Sequence, residues 1–338
     1  MSGIIGYGVY VPKYRIKQQD IGIPWGSFGM GEKAVCGWDE DIVSMAAEAV
    51  DNAMKNSGVK AADVGALYMA TASSHMVEMH LSPILAELLG LSPQASVLDF
   101  TGSVNAVGTA LSQCMMAIEA KRIKCGIVVG TENRQVGPGS DAEVSFGAAA
   151  VAMVVGTEGT IADIEGVESY RTLFMDRWRN AKDPWVSNLF DQRFWRDDGY
   201  AKHIGEATKA LMAKIKKSAA DYKLAILPQT DGRTPTAAGK TLGIKNVFPD
   251  LTGVIGDVGG VSPFLCLAGA LESAKPGDRM LVASYGSGTA TAFSIVAKEG
   301  IEAKKGKTKN LEKYIAQKAY VDYPAYLRLT GNIRRVPY

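Results

Sequence analysis

Residue types that carry nucleophilic or metal chemistry are scarce in this chain. Its 338 residues include only 4 cysteines and 3 histidines. The cysteines show no C-x-x-C spacing, and two of them, Cys114 and Cys266, lie in apolar stretches that predict helices. This pattern argues against a zinc site and a disulfide framework, so we expect buried structural thiols and no metal centre.

Neither sign of charge is in excess. The sequence has 37 lysines and arginines against 35 aspartates and glutamates, a formal net charge of +2. A chain with this balance of charges lacks the positive electrostatic field that draws proteins to nucleic acid or to an anionic membrane surface. We therefore expect its partners to be proteins or small molecules.

Long hydrophobic runs are also missing. The longest, around residues 148–155, falls well short of the ~20 residues that a bilayer-spanning helix needs. The first residues, MSGIIGYGVYVP, show no basic segment followed by an apolar one, as a signal peptide would. These features predict a cytoplasmic protein with no membrane association.

One unit occurs twice in the sequence. Residues 96–132 and 253–288 each place an aspartate, Asp99 or Asp257, at the end of a short apolar strand. A Gly-containing turn, an apolar helix of about five turns and a Val-rich strand follow. The repeat predicts an α/β protein of two similar halves, 1–157 and 158–338.

The second half departs from the repeat at residues 170–200. This aromatic-rich excursion holds three of the five tryptophans among many charges and shows no sustained period. It is compatible with a lid, a subunit contact or an ordinary packed loop. Further on, the basic segment 303–310 predicts a solvated linker.

The first repeat has an unusually inert turn. Orphan N–H groups at a helix start stabilise a thiolate or an oxyanion, so an enzyme would place its nucleophile there. The residues after Asp99 in that turn include Ser103, Val104 and Asn105, with no cysteine.

Several stretches together carry a family likeness. They are GYGVYVP (6–12), WDEDIVSMAAEAV (38–50), GTAL (108–111), PGDRMLVASYGSGTA (276–290) and YVDYPAYLRLTG (320–331). In these, the chain resembles the archaeal-type hydroxymethylglutaryl-CoA synthases of the thiolase superfamily. The resemblance covers nearly the whole chain. It implies a thiolase fold, with five layers in the order αβαβα and two duplicated halves with mixed sheets.

The resemblance also assigns catalytic positions. Members of the family attack an acyl-CoA thioester with a cysteine, assisted by a histidine, an asparagine and a glutamate. The cysteine position is Val104 when counted from Asp99, or Asn105 when counted back from GTAL. Neither side chain can form an acyl thioester.

The three helper positions are changed as well. The histidine falls on Pro228, the asparagine on Asp257 and the glutamate on Ala72 or Ser73. An ionised aspartate accepts hydrogen bonds and would repel an oxyanion. The resemblance therefore implies a degenerate member that keeps the scaffold without the chemistry.

Two further features have open interpretations. Ser103 is the only nucleophile in the turn, and family analogy makes His75 its best-placed base; a helix-capping hydroxyl is the alternative. The loop Gly286, Ser287 and Gly288 matches one that the family uses near the pantetheine arm. It implies a vestigial pocket for a CoA ester, with no covalently bound cofactor, although its glycines also suit a tight backbone approach.

Three functions follow as hypotheses. The first is a non-catalytic subunit of an acyl-CoA-processing complex, in a dimer or larger hetero-oligomer with a catalytic thiolase subunit and a small zinc-ribbon OB-fold protein. Archaeal members form such assemblies, and bacterial phloroglucinol acetyltransferase has a similar cysteine-less synthase-like subunit. The second is an active acyltransferase with its site relocated to Ser103. The third is an acyl-CoA-binding regulatory module.

Overall fold

Most of the chain forms alternating strands and helices in the computed structural model, which describes residues 2–189 and 191–334. The strands are β1 (Gly3–Tyr10), β2 (Tyr14–Lys17), β3 (Glu32–Val35), β4 (Ala66–Thr71), β5 (Ser96–Thr101), β6 (Cys125–Asn133), β7 (Ala148–Gly156), β8 (Ala162–Arg171), β9 (Arg177–Trp178), β10 (Ser187–Asn188), β11 (Leu224–Ile226), β12 (Arg279–Gly286), β13 (Thr289–Ala297) and β14 (Ala319–Tyr320). The helices are α1 (Gln18–Gly22), α2 (Ile42–Ser57), α3 (Ser82–Leu88), α4 (Ala106–Glu119), α5 (Gln192–Phe194), α6 (Lys202–Ile215), α7 (Thr234–Leu242), α8 (Ser262–Ser273), α9 (Leu311–Ala316) and α10 (Tyr323–Leu329).

Nine of the strands form one mixed sheet. Their order is β11-β12-β13-β8-β1-β7-β6-β4-β5. β4 runs parallel to β5 and β6, and β11 runs parallel to β12, whereas the remaining pairs are antiparallel. The sheet consists of two sets of strands, one from β1 to β5 in this order and one from β11 to β8. They are joined where β1 meets β8, through only two residue pairs, Gly3 with Asp163 and Ile4 with Ala162.

Helices cover the strands in three layers. Because strand side chains alternate between faces, each set of strands buries two apolar surfaces. α2 packs on the outer face of the strands from the first half, and α6 packs on the outer face of those from the second. α4 and α8 share the central core between the two sets. The order is αβαβα, which confirms the five-layered architecture.

The positions of α2 and α8 explain their different compositions. α2 is amphipathic and begins with a capping box in which Asp41 and Ser44 exchange hydrogen bonds; Gly58 ends it at a φ of +80°. α8 is buried almost all round, from Ser262 to Leu271, because it lies in the central layer.

The second copy of the repeat differs from its prediction. Residues 252–255 form turns, and Asp257 makes only an isolated bridge to Phe146. The predicted strand before Asp257 is therefore wrong. The carbonyls of Gly253 and Ile255 instead accept the N–H groups of Glu32 and Ala34 in β3. The two repeat helices have 14 and 12 residues, so they are shorter than the five turns predicted.

The basic segment also has more structure than expected. Lys304 Nζ donates to the carbonyl of Ser57 at 2.7 Å, and Lys307 Nζ donates to that of Asn56 at 3.3 Å. These cations lie at the C-terminal end of α2, where they complement the helix dipole. The segment is docked and is not a free linker.

None of the helices within residues 2–189 and 191–334 is both long and apolar enough to cross a membrane.

Candidate functional site

The turn between β5 and α4 meets the β12–β13 turn in a small cleft of about 100 Å³. Its lining consists of Ala72, Ser73, Gly102, Ser103, Val104, Arg134, Gln135, Arg177, Trp178, Arg179, Val186 and Ser287. The structure thus brings together the predicted cysteine and glutamate positions and the loop that contains Ser287. Asn105, Pro228, Asp257 and His75 do not line this cleft. A larger groove of about 670 Å³, which lies against α8 and α9, contains none of the predicted site residues.

Ser103 acts locally at the start of α4. Its Oγ accepts the N–H of Asn105 at 3.1 Å and donates to the carbonyl of Gly286 at 3.2 Å. His75 lies in an exposed segment, and the described residues show no hydrogen bond between it and Ser103. The hydroxyl therefore organises the turn, as a capping serine does, and has no base beside it.

Val104 fills the space between three turns. A Cβ on Gly286 would lie 2.5 Å from Val104 Cγ2, and a Cβ on Gly260 would lie 2.3 Å from the Val104 carbonyl oxygen. Both glycines are needed because the backbone approaches so closely. The side chain is half-buried and brings no polar atom to the cleft.

Asn105 points into the core. It is 2% exposed, and its Oδ1 accepts from Ser284 Oγ at 2.5 Å. Its Nδ2 donates to Thr291 Oγ1 at 3.2 Å. The amide bridges α4 to β12 and β13 and is not available to a ligand in the cleft.

Asp257 is the centre of a buried ion triad. Its carboxylate is 1% exposed and accepts from Arg134 Nη1 at 3.3 Å, from Arg177 Nη1 at 3.1 Å and from the N–H of Gly259 at 2.8 Å. The Arg134 guanidinium stacks over Phe146, 3.8 Å from the ring centroid. A carboxylate held in this way has no donor for an oxyanion. Removing it would leave the buried Arg134 and the partly buried Arg177 without their shared partner.

Ala72 and Ser73 rest against a glutamate that the sequence analysis missed. Glu132, near the end of β6, is 1% exposed and accepts the N–H of Ala72 at 2.9 Å and the hydroxyl of Ser73. Burial raises the pKa of Glu132 to about 6, although nearby Arg134 opposes that shift. The only signal in the sequence is an acidic residue in an otherwise apolar strand, CGIVVGTEN.

Pro228 follows β11 and presents only its carbonyl, which accepts the hydroxyl of Tyr200 at 2.8 Å. Since proline has no N–H and no titratable group, this position cannot move a proton or hold an oxyanion.

The loop 286–288 is shaped by close backbone contacts. Gly288 has a φ of +70°, and a Cβ there would lie 2.6 Å from the carbonyl oxygen of Thr172. Ser287 N–H donates to the buried carboxylate of Asp176 at 3.1 Å. These contacts support the interpretation that the glycines allow a tight approach.

The aromatic-rich excursion covers the cleft. Its short hairpin, β9 and β10, contributes Arg177, Trp178, Arg179 and Val186 to the lining. Nearby, Trp185 lies against Gly137, where an added Cβ would be 3.1 Å from the indole ring. A lid, a subunit contact and an ordinary packed loop all stay predictions for this segment. Because residues 170–200 show no sustained period, sequence patterns could not place these arginines.

The cysteines offer no substitute nucleophile. All four, Cys36, Cys114, Cys125 and Cys266, are buried and free, which confirms them as structural thiols. Burial raises the pKa of Cys114 to about 12 and that of Cys125 to about 11, so both remain thiols at neutral pH.

Comparisons with known proteins agree on one group. The hydroxymethylglutaryl-CoA synthase of Thermococcus gammatolerans is 34% identical, with 96% of this chain and 95% of that protein covered. The synthase of Methanopyrus kandleri is 33% identical over 98% of both chains. No protein-family model matches the chain.

A solved structure gives the same result for the fold. The structure of MvaS in complex with 3-hydroxy-3-methylglutaryl coenzyme A superposes with a TM-score of 0.86 over 97% of this chain and 91% of that one. At 19% identity, this likeness concerns the fold alone. It confirms the thiolase fold.

Proposed function

The chain belongs to the hydroxymethylglutaryl-CoA synthase family, and we propose that it is a non-catalytic subunit of an acyl-CoA-processing thiolase or acyltransferase complex. The observation that carries the proposal is the start of α4. There the two candidate cysteine positions hold Val104, which packs against glycines, and Asn105, whose amide is bonded in the core. The acyl thioester then forms on a cysteine of the partner.

The size of the cleft supports this proposal. Pockets that take a drug-sized ligand measure roughly 300 to 1,000 Å³. The cleft at Ser103 and Val104 has about 100 Å³, and the Arg134–Asp257–Arg177 triad lies against it. An acyl group on a pantetheine arm needs more room than this.

An uncovered sheet edge supports the presence of a partner. β5 ends the nine-stranded sheet, and its Leu98 is 41% exposed. Asp99, on the same strand, accepts the N–H groups of Leu81 and Ser82 at 2.6 and 2.8 Å. It thereby fixes the end of a segment whose apolar side chains at Met76, Val77 and Met79 are exposed. Exposed edges and apolar patches of this kind mark surfaces that another chain covers.

We propose a catalytic thiolase subunit as the chain on this edge and a small zinc-ribbon OB-fold protein as a further member of the complex. Both partners come from the family resemblance. The proposal makes the protein a hetero-oligomer in its working state.

Affinity purification from the native host tests the proposal. We expect a thiolase-fold chain with a reactive cysteine to co-purify in stoichiometric amount. We also expect the complex, but not the isolated chain, to catalyse acyl transfer from acetyl-CoA. A chain that elutes alone as a homodimer, and that turns over acetyl-CoA by itself, would contradict it.

A further inference from the structure

The cleft is lined by three cations and no acid. Arg134, Arg177 and Arg179 reach it from β6 and from the excursion, and no aspartate or glutamate is in its lining. The neighbouring carboxylates, Asp176, Asp257 and Glu132, are all buried behind that lining. A ligand in the cleft therefore meets guanidinium groups first.

These guanidinium groups have hydrogen-bond donors to spare. Arg134 and Arg177 each give one nitrogen to Asp257, and Arg179 gives one to the carbonyl of Ser74. Within the described part of the chain, no other hydrogen bond engages them. Since a guanidinium has five N–H donors in a rigid fork, each of the three arginines keeps donors that no described residue engages.

Aromatic rings hold two of the arginines in place. The Arg134 guanidinium lies 3.8 Å from the centroid of the Phe146 ring. The Arg177 guanidinium lies 5.3 Å from the same ring and 5.7 Å from that of Trp195. Groups fixed in this way lose little freedom when a ligand binds, which favours affinity.

The dimensions of the cleft limit what can bind. A volume of about 100 Å³ corresponds to about three water molecules in the liquid. The hydroxyls of Ser73, Ser103 and Ser287 add polar atoms, whereas Trp178 and Val186 form an apolar side. One oxyanion group fits such a space, with a short carbon skeleton against the indole.

We propose that the arginine-lined cleft binds a small oxyanion, either the carboxylate of a short organic acid or a phosphate group. This site goes beyond the proposed subunit role and does not depend on a partner. Charge-assisted bonds from paired guanidinium nitrogens recognise both oxyanions, so the choice between them is left to the experiment.

Calorimetric titration of the full chain at low ionic strength tests the site. The probes are propionate, inorganic phosphate and propionamide, the last a neutral analogue of the first. We expect one of the two anions to bind at a single site and propionamide not to bind. Binding of propionate alone identifies a carboxylate site, and binding of phosphate alone identifies a phosphate site.

Two substitutions within the lining and one outside it make the test specific. Arg179→Gln removes the arginine that pairs with no carboxylate among the described residues, and Gln135→Glu adds a carboxylate of nearly the same shape. We expect each to weaken binding about tenfold or more. Arg196→Gln, which removes an exposed partner of Asp197, leaves affinity unchanged.

Circular dichroism and thermal unfolding show whether each variant is folded. If one of the two lining variants does not fold, the other still tests the site. The proposal is overturned if neither anion binds the unmodified chain, or if propionamide binds as well as propionate. It is equally overturned if the folded lining variants keep full affinity.

Discussion

Val104 stands at the helix start where the family resemblance places a nucleophilic cysteine. Its methyl groups pack against glycines, and the neighbouring polar side chains are already engaged: Ser103 in the turn, Asn105 in the core and Asp257 with two arginines. The local chemistry is therefore that of a packed junction between turns.

We expect Val104→Cys to leave the chain unable to form an acyl thioester. The helix N-terminus would stabilise the thiolate of a cysteine at this position, but no base would activate it. Pro228 and Asp257 occupy the positions that the resemblance assigns to the activating groups. Intact-mass measurement after incubation with acetyl-CoA checks this. A stoichiometric acetyl adduct on the variant would mean that only the cysteine had been lost.

Asp257→Asn is expected to destabilise the protein although the family resemblance places an asparagine there. The substitution leaves Arg134 and Arg177 facing each other without the shared carboxylate, and breaking a buried pair costs about 3 to 5 kcal/mol. Chemical denaturation gives the free energy of unfolding. Asp197→Asn, in an exposed pair, is the control and should change it by less than about 1 kcal/mol.

Glu132 should make stability fall as pH rises. Burial raises its pKa from 4.5 to about 6, so the folded state holds the proton more tightly than the unfolded state does. The stabilisation is complete below the unfolded value and is lost as pH rises through about 6. A shift of this size corresponds to about 2 kcal/mol.

Glu132→Gln removes that titration. As pH rises from 4.5 to 7.5, we expect the free energy of unfolding of the variant to increase relative to that of the unmodified protein, by about 2 kcal/mol at most. Denaturation measurements at several pH values check this. Glu158→Gln, at an exposed position, should show no such trend. An unchanged difference across that range would show that Glu132 does not titrate there.

Sequence patterns located the elements whose ends and faces are set locally. The ends of α2, Ile42–Ser57, are of this kind, because Asp41 and Gly58 mark them within a few residues of chain. The prediction of a strand before Asp257 failed because tertiary contacts decide the conformation of this segment. Its apolar Ile255 reaches the central core from a turn, while its backbone bonds to β3.

The candidate site also contains some residues that sequence patterns could locate and others that they could not. The turn at Ser103, Val104 and Asn105 could be found from the repeat, since a strand, a turn and a helix are local features. Arg177 and Arg179 could not, because they come from an excursion without periodicity that reaches the cleft only in the folded chain. Only contacts distant in sequence reveal the triad around Asp257.

The edge strand β5 gives a prediction about assembly. Leu98→Lys places a charge on the uncovered edge, where it would oppose pairing with another chain while leaving the core of the subunit intact. We expect affinity for the co-purifying partner to fall about tenfold or more in a surface-binding assay. Ile23→Lys, which alters an exposed apolar side chain on another element, is the matched control. Equal losses in both variants would argue against β5 as the interface.

The whole molecule has the five layers of the thiolase fold around a junction in which the positions assigned by the resemblance make structural contacts. Central helices α4 and α8, the paired turns and the covering excursion remain in place. Under the proposed function, this chain shapes an assembly while a second chain supplies the nucleophile. The two halves, 1–157 and 158–338, stay a prediction as folding units.

Intact-mass spectrometry of the purified complex, quenched during turnover with acetyl-CoA, tests this account. We predict an acetyl adduct on the cysteine-bearing partner and an unmodified mass for this chain. An acetyl adduct on this chain, mapped to Ser103 or to any other residue of the cleft, would contradict the account.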